Sequence, residues 1–152
     1  MGMYRILRNN IKTLLDSLTS LQEVHDHPTF VFEGYPAAFI APVSSPNEFK
    51  TTNENQRIYT FHAWVFVQYD VGTAEAAYNS LMDCMDDIIN KIDHEEDPSD
   101  ATRTMATNIP AGYTLLAVMA APGEIVPDEE NKILAGQVTV RCKTLVDLTL
   151  LS

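Results

Sequence analysis

The side chains in this sequence that are able to do chemistry are few and poorly grouped. His25 and His27 flank Asp26, and His62 and His94 complete the histidine set. Two imidazoles and a carboxylate are the beginnings of a metal site. At the end of a helical pattern, however, they read as solvated residues near a helix C-terminus, where a partly protonated imidazole is favoured by the dipole. His94-Glu95-Glu96-Asp97 is acidic enough for calcium but lacks the Asp-x-Asp-x-Asp-Gly spacing and its central glycine. Asp83 and Asp87 stand one helical turn apart, a spacing that suits paired carboxylates in acid–base catalysis, yet with no cleft signature beside them they read as an exposed helix face. Ser44-Ser45 lies in a polar stretch, no GxSxG elbow occurs, and the glycines at 2, 34, 72, 112, 123 and 136 are too dispersed to cradle a phosphate. Cys84 and Cys142 belong to no CxxC spacing and read as buried free thiols. The expectation is a protein with no catalytic residue, metal or cofactor.

Composition narrows the classes further. The chain has 152 residues, 45% hydrophobic and 20% charged, enough to bury a core within one domain spanning 1–152. Ten Lys+Arg against 21 Asp+Glu give a formal net charge of −11. The basic residues are scattered, Arg5, Arg8 and Lys12 being the nearest to a cluster, so a phosphate-binding footprint is not expected. No apolar run approaches the roughly 20 residues of a membrane-spanning helix, and the opening Met1–Arg8 lacks the apolar core of a secretory signal. The chain is therefore expected to work in solution, in a cytoplasm. From Asp83 to Asp100 eight acids stand against Lys91 alone, and a smaller acidic group follows at Glu124 and Asp128-Glu129-Glu130. A solvated surface is the plain reading of both.

The elements that must carry these residues follow from periodicity. Tyr4, Leu7, Ile11, Leu14, Leu18 and Leu21 form one helical stripe over Tyr4–Gln22, ended by His25-Asp26-His27-Pro28. Thr29–Phe32 and Tyr35–Ala41 have strand composition, the second closed by Pro42. Val43–Gln56 is polar and predicts a long exposed loop or hairpin tip, at about 43–56. Arg57–Asp70 is dense in aromatic and β-branched residues and predicts a long central strand. After Gly72, with Thr73 as N-cap, Ala74–Ile92 carries a second apolar stripe. A second long loop is expected at about 95–112. Tyr113–Met119 follows as a strand broken at Ala121-Pro122-Gly123, and a cleanly alternating final strand closes the chain. This order predicts an α+β fold: two layers, with two main helices on one face of a mostly antiparallel or mixed sheet of about four to five strands.

Both faces of the long strand are apolar. Tyr59, Phe61, Ala63, Val65, Val67 and Tyr69 share one face; Ile58, Thr60, His62, Trp64, Phe66 and Gln68 share the other, and the helices need one of the two. In a short chain, Trp64 and Phe66 then require a cover from outside, so they become candidate subunit-interface residues, joined by Arg141 and Lys143 on the polar face of the last strand. Phe49 and Lys50 are the candidate partner-contact residues of the first long loop.

This order, from the helix Ile6–Leu21 and the strand Tyr35–Ala41, through the polar hairpin and the aromatic strand Ile58–Tyr69, to the helix Ala74–Ile92 and the strand Gly136–Leu148, resembles the tail terminator (tail-completion) proteins of long-tailed bacteriophages. The resemblance rests on element order, length and texture over nearly the whole chain. It implies a structural virion protein, not an enzyme: a hexameric ring that ends the tail tube, joins it to the head connector and is assembled in the host cytoplasm. Its partners would be other copies of itself, the tail tube protein and the head connector or neck protein, with DNA only passing through. In such a ring, Asp83, Asp86 and Asp87, or Asp128, Glu129 and Glu130, are candidates to line the channel, where negative charge keeps phosphate from adhering; an outer-rim position serving solubility alone is the alternative. A neck or head-closure protein, or a small α+β ligand-binding or regulatory domain, would fit the same elements.

Overall fold

The computed structural model describes residues 2–43, 47–49, 54–70, 72–95 and 103–150. The first helix, α1 (Met3–Asp16), follows from Met3, Ile6, Leu7, Ile11, Leu14 and Leu15, all buried along one stripe. It stops six residues short of the expected end: Ser17 Oγ donates to the Leu14 carbonyl (2.6 Å), and its backbone N–H also turns back into the last turn. Leu18 and Leu21 still reach the core from the turn that follows, which is why the apolar spacing outruns the helix. The short strand β1 (Glu23–His25) follows, and of the segment expected to end the helix only His25 belongs to it.

β2 (Ala37–Val43) pairs in parallel with β1 only over Ala37–Phe39, so its far half has a free edge. Pro42, which has no N–H to offer, is tolerated there and does not close the strand. Residues 29–32, expected to be strand-like, are irregular. β3 (Asn47–Phe49) and the start of β4 (Glu54–Gln68) pair antiparallel, the hairpin rather than the loop of the two expected forms. Asn55 and Gln56 are buried because the strand they open is flanked by β3 on one side and by the last strand on the other.

α2 (Ala74–Asp93) matches its predicted span closely. Thr73 does not cap it through its side chain; its hydroxyl instead accepts the Asp70 N–H (2.8 Å), closing the turn before the helix. The region 95–112 is not simply an exposed loop. A 3-10 turn at Thr104–Ala106 drives Met105 into the core, while the Asn10 side-chain amide donates to the Met105 and Thr107 carbonyls (3.3 and 2.9 Å). That pairing explains a buried polar residue on the apolar stripe of α1. Glu95, also buried, accepts the Met105 N–H (3.2 Å). Residues 96–102 lie outside the described ones.

β5 (Tyr113–Asp128) runs straight through the expected break at Ala121-Pro122-Gly123, because a bulge between Pro122 and Ile125 absorbs it. At Gly123 a Cβ would sit 3.1 Å from the Gln137 carbonyl oxygen, a tight approach that glycine avoids. β6 (Ile133–Asp147) pairs with β4 along its whole length and with β5 on its other side. Among the described residues six strands make a mixed sheet, ordered β1-β2-β4-β6-β5 with β3 attached to β4, in which only β1–β2 is parallel. Both helices cover one face, closing a core built on Leu7, Ile11, Phe61, Val65, Leu81, Ile88 and Val140. Gly136 lets α2 approach: a Cβ there would meet Met85 Sδ at 2.6 Å and Leu81 at 3.0 Å.

Candidate assembly interface

Strand alternation sends the even-numbered residues of β4 and the odd-numbered residues of β6 to the sheet face that the helices do not cover. Trp64 lies there between Phe39 of β2 and Gln137 of β6; Phe66 lies between Ala37 and Ala135. The two do not share one fate. Phe66 is only 7% exposed, yet no helix covers it: the rings of Phe32 and Phe39 do, with centroids at 5.2 and 5.3 Å. Trp64 remains half-buried. Phe30, 77% exposed, stands edge-on to Phe39 at 5.8 Å. Phe30, Phe39, Trp64 and Phe66, with Val126 and Ala135, line an open apolar hollow of about 350 Å³. Phe30, Phe32, Phe39 and Val126 were not foreseen as parts of this surface. The signal for Phe39 was available, since its strand alternates and its position faces Trp64 once the two strands pair.

Further along the same face, His62 Nδ1 and Gln137 Nε2 are 3.0 Å apart, and the His62 ring stands edge-on to Trp64. Partial burial pushes the His62 imidazole below its usual pKa. Arg141, opposite Thr60 and Met119, and Lys143, opposite Ile58 and Ala117, complete the face. Neither makes an ion pair among the described residues. All four expected interface residues thus share one sheet face, with the aromatic pair and the cationic pair at different positions along it.

The acidic candidates divide. Asp83, Asp86 and Asp87 are exposed on the side of α2 turned away from the sheet, and on its flank Tyr78 and Met82 remain 39% and 43% exposed. Asp128, Glu129 and Glu130 form the turn joining β5 to β6. The Asn131 side-chain and backbone N–H groups, at 2.8 and 3.2 Å, hold the Asp128 carboxyl below the usual carboxylate range. This turn borders the N-terminal end of α2, where the Tyr69 N–H donates to the Lys132 carbonyl (3.0 Å). The β3–β4 hairpin occupies the opposite end of the sheet, since Glu54 pairs with Asp147 and Gln68 with Ile133. Phe49 is placed in β3 by its backbone, and Lys50 lies outside the described residues.

His25 and His27 sit in a cluster of polar side chains. His27 Nδ1 lies 2.8 Å from Asp26, Arg8 lies 3.6 Å from the same carboxylate, and His25 Nε2 lies 3.2 Å from Glu23. The hydrogen bond from His27, aided by Arg8, lowers the Asp26 pKa. Among the described residues no three His, Cys, Asp or Glu side chains converge as metal ligands. No helix there is long and apolar enough to cross a membrane. Both cysteines are free and buried; Cys142 is pushed up to about 12 by its burial.

No protein-family model matches the chain, and no curated protein matches its sequence. Among solved structures, the fold is similar to that of a chain in the virion of a native gene transfer agent particle. The two share 12% sequence identity at a TM-score of 0.57, over 91% of this chain and 94% of that one. The chain therefore has an α+β fold that also occurs, nearly end to end, in a virion component.

Proposed function

We propose that this protein is a non-catalytic virion component: a terminator that forms a hexameric ring, ends the tail tube and joins it to the head connector. The observation that carries this reading is the fold shared over 91% of the chain with a component of a gene transfer agent virion. The uncovered aromatic sheet face adds support, since rings such as Phe30 and Trp64 on one face are a usual signature of subunit contact. The two ends of the sheet differ in chemistry, as a joint between two unlike structures requires. The β3–β4 hairpin with Phe49 and Lys50 meets the tail tube. The acidic turn Asp128–Glu130 borders the DNA path, where it repels phosphate. Assembly takes place in the host cytoplasm.

Native mass measurement of the purified protein, followed by negative-stain imaging, tests this reading. A six-membered ring with a central opening, retained by tail tubes and by the connector, is the expected result. A monomer or two-fold dimer that binds neither would refute it, as would tight, salt-sensitive DNA binding by the wild type.

A further inference from the structure

Two surfaces of this chain, on opposite sides of the molecule, are unsatisfied in complementary ways. The uncovered sheet face has its aromatic hollow around Trp64 and then, along β6, the cations Arg141 and Lys143, which make no ion pair among the described residues. An exposed stripe running along the flank and outer side of α2 has Tyr78 and Met82 and then the exposed acids Asp86 and Asp93.

The spacings agree. Trp64 is opposite Gln137, so at about 3.3 Å per strand residue Arg141 lies about 13 Å and Lys143 about 20 Å beyond it. At about 1.5 Å per helical residue, Asp86 lies about 12 Å and Asp93 about 22 Å beyond Tyr78. With Tyr78 and Met82 set over Trp64, Asp86 comes opposite Arg141 and Asp93 opposite Lys143.

We propose that the outer face of α2 in one copy docks on the uncovered sheet face of the next copy, with Tyr78 and Met82 in the Trp64 hollow and Asp86 and Asp93 paired with Arg141 and Lys143. The two surfaces differ and lie on opposite sides of the molecule, so the contact is head-to-tail. Such a contact generates a ring when its rotation closes, and a two-fold dimer does not use it. The inference rests on the ring reading and deepens it by naming both halves of the interface. It also assigns the α2 acids to the subunit contact and leaves the DNA path to the turn Asp128–Glu130.

The test joins a zero-length carbodiimide cross-link to a charge exchange. In wild-type protein, carbodiimide should join Lys143 to Asp86 or Asp93 in peptides from two different copies. Mixing isotopically labelled and unlabelled protein distinguishes this from a link within one chain, which the intervening sheet and helix forbid. The double variant Arg141→Glu/Lys143→Glu should lose assembly by about a hundredfold, as should Asp86→Lys/Asp93→Lys, because each sets like charges face to face. The four-substitution chain, with the charges exchanged, should recover most of that loss. Unchanged circular dichroism of each variant excludes misfolding as the cause. A ring that persists in both double variants and yields no such cross-link would overturn this interface while leaving the ring reading intact. A wild type that stays monomeric at every concentration would overturn both.

Discussion

Replacing Met105 by alanine tests whether the segment after α2 is part of the core or merely lies over it. Met105 is 0% exposed, and its removal takes away Cγ, Sδ and Cε. Three methylene-sized groups at about 0.8 kcal/mol each give about 2.4 kcal/mol of lost transfer energy, and an unrelaxed void of roughly 40 Å³ adds about 1 more. The expected cost is therefore about 3 kcal/mol, or a fall in Tm of about 6–12 °C for a chain of this size. Urea unfolding followed by circular dichroism and by fluorescence of Trp64, the single tryptophan, reads this as a lower midpoint at unchanged slope. Asn10→Ala should cost about 1–3 kcal/mol, because it strands the Met105 and Thr107 carbonyls. The two effects should not add, since both substitutions release the same segment. A loss below about 0.5 kcal/mol for Met105→Ala, the level of an ordinary surface change, would refute the packed segment.

Gly136→Val should destabilise by about 1–3 kcal/mol, because its side chain enters the space of Met85 and Leu81; thermal unfolding measures it. Trp64→Ala should leave the fold intact but weaken assembly by about 2 kcal/mol or more, a hot-spot loss seen by sedimentation. Burial lowers the His62 pKa from 6.5 in the folded state, so as pH falls the unfolded chain takes up this proton first. Stability from this site is full above 6.5 and declines as pH drops below it. His62→Gln should therefore lose less stability than wild type between about pH 7 and pH 5, as measured by denaturant midpoints. Cys142, buried and with its thiol pushed up to about 12, should resist thiol reagents in the native protein and react only on unfolding.

The parts of the fold legible in the sequence were those whose period is carried by packing against a single layer. α2 and the core face of β4 belong here: Leu81, Ile88, Phe61 and Val65 repeat at the spacing their geometry demands. Legibility failed where a side chain reaches the core without regular structure, or where regular structure survives a residue that usually ends it. Leu18 and Leu21 extended the apparent helix, Met105 turned an apparent loop into core, and Pro42 and Pro122 failed to end strands because a free edge and a bulge accommodate them. Of the candidate site, alternation put Trp64 with Phe66, and Arg141 with Lys143, on one face of their own strands; that these are the same face of the sheet follows from the β4–β6 register, which alternation does not carry. The rings of Phe30 and Phe32 were not, because their segment has no period and is positioned only by contact with Phe39 and Phe66.

The free edge formed by β5 governs how copies of this chain meet before any partner is present. Among the described residues no strand pairs with its outer side, and a sheet edge of 16 residues left open is a template on which any extended chain can polymerise. β5 spoils that template along its length: Pro122 and Pro127 offer no N–H, and bulges after Leu115 and Pro122 shift the register. An arriving strand meets no uninterrupted run of donors and acceptors long enough to zip onto. Indiscriminate backbone pairing, the route to amyloid-like clumping in a crowded cell, is thereby discouraged. Recognition between copies is left to side chains, which discriminate as a repeating backbone cannot.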